Sequence, residues 1–103
     1  MANRLDLQHS LEEVLGNKNV YYNPPESVKM KYPAIKYSLK NIKNVYADGA
    51  IYNQNAEYEL ILIDKDPDSK YVNEIYKKHT RSTFSRSYTA DGLHHWVFNL
   101  YNN

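Results

Sequence analysis

Residues Tyr58–Ser69 read YELILIDKDPDS, and this stretch decides the fold. Tyr58, Leu60 and Leu62 alternate with Glu59, Ile61 and Ile63, the two-residue period of a strand. Its second half is apolar at every position, so the strand is predicted to be central and covered on both faces. Asp66-Pro67-Asp68-Ser69 then reads as a helix start. Asp66 can cap, Pro67 suits the first helical position, and Asp68 meets the positive helix end. Val72, Ile75, Tyr76 and His79 follow at helical spacing, with Glu74 and Lys78 as a supporting pair. That helix is predicted to end at about His79.

Working back toward the N-terminus, Asp48-Gly49 is a turn signal and Ile51-Tyr52 begins the return strand. Ile35, Tyr37 and Leu39 alternate with Lys36, Ser38 and Lys40, a half-buried strand that Val45-Tyr46 extends. Asn23–Pro33 (NPPESVKMKYP) has proline at both ends and reads as a loop, since proline donates no ladder hydrogen bond. Asn19–Tyr22 reads as a short strand. Leu7, Leu11, Val14 and Leu15 form one helical stripe, so residues 4–15 are predicted helix, with Asn3 as N-cap and Gly16 as stop. Toward the C-terminus, Thr83–Thr89 is a strand, Asp91-Gly92 a tight hairpin turn and His94–Tyr101 the closing strand. His94, Trp96, Phe98 and Leu100 share one face of it.

The expected architecture is α+β: two helices on a mostly antiparallel sheet, in the order α-β-β-β-α-β-β. At 103 residues the chain has room for one domain, residues 1–103, and one core. Trp96, Phe98, Leu60, Leu62, Ile35, Leu11 and Ile75 are its expected members.

Charge and composition narrow the function. Lys+Arg of 13 against Asp+Glu of 12 lacks the basic excess of a dedicated duplex-DNA binder. The charges are unevenly spread: Lys29, Lys31, Lys36, Lys40 and Lys43 precede Glu57, Glu59, Asp64, Asp66 and Asp68. Separate positive and negative patches suit head-to-tail contact between identical copies. With no Cys there is no disulfide framework and no thiolate zinc site, which fits a reducing compartment. The N-terminus is charged and amphipathic, unlike a signal peptide, and no run approaches a membrane span. The expectation is a soluble protein made in the cytoplasm.

No constellation for chemistry stands out. Asp64, Asp66 and Asp68 have the spacing that opens a calcium loop, but Ser69 replaces the glycine and Ile75 the closing glutamate. His94 and His95 are adjacent on a strand and point to opposite faces, so they do not chelate one ion. His79 reads as a packed, hydrogen-bonded histidine. No serine sits in a glycine-rich elbow, and three glycines provide no phosphate-cradling loop. No catalytic, cofactor-binding or metal residue is assigned. Lysine and tyrosine interleave from Lys31 to Tyr46, a pattern that can bind single-stranded nucleic acid. The alternation, however, turns Tyr37 toward the core.

One segment points to protein contact. The loop Asn23–Pro33 carries Val28, Met30 and Tyr32, which is apolar for a surface segment. Read as a subunit or partner contact, it sets Lys29 and Lys31 against an acidic edge. An edge such as one carrying Glu57, Glu59 or Asp68 would meet them, on a neighbouring copy or on another partner. The alternative is a loop folded back over its own core.

Four stretches carry a resemblance: residues 23–39 (NPPESVKMKYPAIKYSL), 45–52 (VYADGAIY), 58–69 (YELILIDKDPDS) and 84–101 (FSRSYTADGLHHWVFNLY). In this order and spacing, from about residue 19 onward, they resemble the tail terminator, or tail-completion, proteins of long-tailed bacteriophages of Gram-positive bacteria. Gly49 and Gly92 stand where that family usually has Asn, and both residue types accept left-handed turn geometry. His94 also replaces an Asn, and Ser85 replaces an acid, so no contact of that acid carries over. The resemblance implies a homo-oligomeric ring, commonly a hexamer, on the head-proximal end of the tail tube. Its partners would be the tail tube protein and the head connector or stopper protein. DNA would pass through the lumen without sequence readout, and neither cofactor nor membrane is implied. The location would be the virion, at the head–tail interface. A head-completion stopper or adaptor is the nearest alternative; a small nucleic-acid-binding module and a small enzyme are the others.

Overall fold

The computed structural model describes residues 4–25, 27–47 and 49–102, with side chains described for all of these but 44–47, 50–55 and 102. The apolar strand lies at the centre. Its element, β3 (Ala50–Asp64), sits between β2 (Ala34–Ala47) and β5 (Leu93–Asn102) in a five-stranded sheet. The edges are β1 (Val20–Tyr22) beside β2 and β4 (Ser82–Ala90) beside β5. Helix α1 (Arg4–Leu15) precedes β1, and α2 (Tyr71–Lys78) joins β3 to β4. The fold is α+β in the expected order. The one parallel pairing is β1 with β2; the other three are antiparallel.

One face of the sheet carries both helices. Leu7, Leu11 and Leu15 of α1 and Ile75 of α2 pack on Ile35, Tyr37, Tyr58, Leu60, Leu62, Phe98 and Leu100, with Trp96 partly buried beside them. Six of the seven expected core residues are buried members of this cluster, and the seventh, Trp96, is only partly buried against it. Polar bonds fasten α1 to the strands beneath it. The Tyr37 hydroxyl donates to Gln8 Oε1 at 2.6 Å, and Gln8 Nε2 donates to the Val20 carbonyl at 3.0 Å. Tyr37 is thus a core residue facing α1, as its alternation requires.

Both hairpin turns and the first helix stop follow the sequence. Ala90 pairs with Leu93 across Asp91 (φ 54°) and Gly92 (φ 75°), the two left-handed positions of a type I′ turn. Gly49 (φ 76°) lies between the paired residues Ala47 and Ala50, while Asp48 falls outside the described residues. Gly16 ends α1 at φ 72°, its N–H bonding Glu12 O at 2.9 Å. The Asn3 cap falls outside the described residues as well.

Two expectations around α2 are corrected. The helix begins at Tyr71, not at Asp66–Pro67, and Lys70 at its N-cap makes no side-chain cap bond. Asp64 Oδ1 instead accepts the Asp66 N–H at 3.2 Å, and Asp66 Oδ1 accepts the Asp68 N–H at 2.9 Å. Short acidic side chains that bond the backbone two residues on favour consecutive turns over a helix. Glu74 pairs with Lys77 at 3.6 Å rather than with Lys78. Lys78 reaches across to α1 and pairs with Glu13.

Among the described residues register shifts fall at three places, between Leu39 and Asn41, between Val45 and Tyr46, and between Phe84 and Arg86, and the first and last of them re-aim apolar side chains. Register shifts between Leu39 and Asn41, which sets Ile42 opposite Ala56. Ile42 therefore shares the helix-bearing face with Leu39, although strict alternation would turn it away. The shift between Phe84 and Arg86 leaves Phe84 opposite Phe98 on that same face.

Candidate functional site

Among the described residues the other face of the sheet carries no helix, yet part of it is dry. Ile61, Ile63 and Val97 are buried there, with Met30 and Leu93 packed against them. Met30 comes from the loop of residues 23–33, which crosses this face. The loop is held at both ends: Asn23, at φ 45°, donates its N–H to Tyr37 O at 2.8 Å, and Asn19 Nδ2 bonds Pro33 O at 3.4 Å. The Tyr32–Pro33 peptide is cis. Within the loop the Val28 N–H bonds Pro25 O at 3.1 Å.

The structure divides the loop's apolar residues between two roles. Met30 covers the chain's own second cluster, so for this residue the folded-back alternative describes the geometry. Val28 is half-buried, and Tyr32, Lys29 and Lys31 are exposed. Among the described residues neither lysine has an ion-pair partner.

The acidic edge is not one surface. Glu57 is buried and pairs within the chain with Lys40 at 3.5 Å, while the same ammonium donates to Asn99 Oδ1 at 3.0 Å. Glu57 is therefore not a free edge charge, because the long Lys40 side chain crosses from the neighbouring strand to reach it. Glu59 is half-buried and lines a shallow groove of about 180 Å³ with Lys36, Asn23, Pro24 and Ile61. Asp68 is exposed in the turn before α2.

Segments distant in sequence meet at one end of the sheet. Pro33 lines a surface hollow with Asp64, Asp66, Asp68 and Tyr71. Pro67 of the same turn lines another with Tyr88, Thr89, His94 and His95 of the β4–β5 hairpin. The end of the loop, the acidic turn and the β4–β5 hairpin strands thus come together at one end of the sheet. Its histidines are engaged on separate faces: the His95 ring stacks on Tyr88 at 4.6 Å, and His94 Nδ1 lies 3.3 Å from Thr89 Oγ1. Two of the three acidic carboxylates already accept backbone N–H groups. Among the described residues no group of three or more acidic, histidine or cysteine side chains is placed to hold a metal ion. No described helix is long and apolar enough to cross a membrane.

His79 caps α2 and joins three elements. Its Nε2 lies 3.0 Å from Ser10 Oγ of α1, and its carbonyl accepts from the Ser82 hydroxyl at the start of β4 at 2.6 Å. Burial pushes the imidazole below the usual histidine value, and the adjacent Lys78 ammonium adds to this. The unfolded chain therefore binds the proton more readily. Stability is expected to be intact above the unfolded value near pH ~6.5 and to fall as pH drops toward the folded one. Urea midpoints between pH 7 and 5 check this. The slope is expected to flatten in His79→Gln, and an unchanged slope contradicts the assignment.

No family model matches the chain, and neither does any curated protein.

Proposed function

We propose that this chain is a structural assembly protein that closes into a ring, commonly of six copies. The ring caps the head-proximal end of a phage tail tube and joins it to the head connector. The observation that supports this reading most is the meeting of three resembling segments at one exposed end of the sheet: the loop of residues 23–33, the turn of residues 64–69 and the β4–β5 hairpin. That end offers shallow hollows lined by residues of the acidic turn and of strands β4 and β5, a surface for fitting against another protein surface. On this reading the protein acts in the virion, at the head–tail interface, with DNA passing through without sequence readout.

Tyr32 and Val28, with Lys29 and Lys31 beside them, are the contact residues this reading puts first. Changing both Val28 and Tyr32 to Ser is expected to shift monomer stability by only about 0.5 kcal/mol, as surface changes usually do. The same variant is expected to lose binding to purified tail tubes, seen by electron microscopy of capped ends. Met30→Ser is the internal control, expected to cost about 1–2 kcal/mol because it uncovers Ile61, Ile63 and Val97. A double variant that caps tubes like the parent removes the loop from the contact surface. Tight, salt-dependent binding of single-stranded oligonucleotides would favour the nucleic-acid module instead.

A further inference from the structure

The chain has no cysteine and two methionines, and Met1 lies outside the described residues, so Met30 carries the one sulfur among them. Its side chain packs on Ile61, Ile63 and Val97, which are 8%, 3% and 0% exposed. Val28 and Tyr32, its apolar neighbours in the loop, belong to neither buried cluster. The loop is tied to the strands near its two ends, through the Asn23 N–H and the Pro33 carbonyl. Between these ties, the Val28 N–H bonds Pro25 O inside the loop itself, and the Lys31 N–H reaches the Tyr21 hydroxyl in an exposed bond of 3.5 Å. The apolar contact of one thioether is therefore what seats the middle of the loop on the sheet.

Met30 is also half-buried, so solvent meets part of its side chain. Hydrogen peroxide oxidises a thioether by transferring one oxygen atom. The O–O bond breaks, an S–O bond forms, the sulfur is oxidised, and the reduced peroxide leaves as water. A flexible apolar side chain becomes a polar one. Ile61, Ile63, Val97 and Leu93 offer the new oxygen no side-chain donor, and a polar group buried without a partner is costly. Lifting the loop returns that oxygen to water.

We propose that Met30 is a redox-sensitive latch: a peroxide converts it to the sulfoxide, and the loop of residues 23–33 leaves the sheet face while the rest of the fold stays in place. A thiol-driven reductase reverses the step, taking the oxygen off as water, forming a disulfide on the reductant and reseating the loop. The open loop uncovers Ile61, Ile63 and Val97 and moves Val28, Lys29, Lys31 and Tyr32 with it. The latch belongs to the single chain and does not depend on the ring reading.

Trypsin reads the latch, because Lys29 and Lys31 flank Met30 and both are exposed. Cleavage follows the open population when the loop opens and closes faster than it is cut. The chain is treated with hydrogen peroxide, the oxygen gained at Met30 is measured by peptide mass, and cleavage after Lys29 and Lys31 is timed. The oxidised chain is expected to be cut there roughly tenfold faster, with cleavage after Arg86 of β4 unchanged. A methionine sulfoxide reductase is expected to restore the slow rate. Met30→Leu keeps the apolar volume without the sulfur and is expected to be cut slowly with or without peroxide. Met30→Gln, polar from the start, is expected to be cut fast without it. A Met30 that resists peroxide in the folded chain, full oxidation with unchanged cleavage, or equal acceleration in Met30→Leu overturns the latch. Equal acceleration after Arg86 also overturns it, because Met30 then holds the whole fold and not the loop.

Discussion

Truncating Phe98 to Ala is expected to cost on the order of 3–5 kcal/mol. Phe98 is fully buried in β5, opposite Leu60 on one side and Phe84 on the other. Its ring meets Tyr76 edge-on at 5.4 Å and Phe84 at 5.8 Å. Removing it opens a cavity between α2 and the sheet that rigid strands cannot close, so transfer and cavity losses add. In a chain of this length the loss lowers the melting temperature by at least about 12 °C. Thermal and urea unfolding read it directly. An unchanged midpoint means that the register of the closing strand is wrong.

Replacing Val97 by Asp is expected to be at least as damaging, above about 4 kcal/mol, although Val97 lies on the face without helices. Its exposure is 0%, because Ile61, Ile63, Met30 and Leu93 surround it. A carboxylate there has no partner and loses its water. The change separates two pictures of the loop of residues 23–33. If the loop covers the sheet in the isolated chain, the variant is expected to be largely unfolded, with a flat near-ultraviolet signal. If the variant folds and melts like the parent, the face is open to water and the loop lies elsewhere.

The patterns that were legible in the sequence are those set by near neighbours. Alternation from Tyr58 to Ile63 marked the central strand, since residues two apart must share a face. Asp91-Gly92 marked the β4–β5 hairpin because only a few residue types accept two consecutive left-handed positions. What was missed depends on distant partners. The start of α2 moved to Tyr71 because Asp64 and Asp66 bond the backbone within consecutive turns, a competition that capping rules leave open. Glu57 reads as an edge charge in sequence, but Lys40, its partner, comes from the neighbouring strand of the ladder. Strict alternation from Lys36 and Ser38 would put Ile42 on the open face. One bulged residue returned it to the apolar face, and no local signal announces that bulge. For the candidate site, proline at both ends identified the loop, but Met30 could be assigned to the chain's own second cluster only once β3 and β5 were seen side by side.

The central claim is that this protein works by assembling with copies of itself. The most direct test is the mass of the purified chain in solution, measured by sedimentation across a hundredfold range of concentration, with images of the same sample. The account predicts a closed species, about 73 kDa if six copies of the 12.1 kDa chain form the ring, seen as an annulus. A species that remains at 12.1 kDa at every concentration, with no annulus in the images, would contradict it.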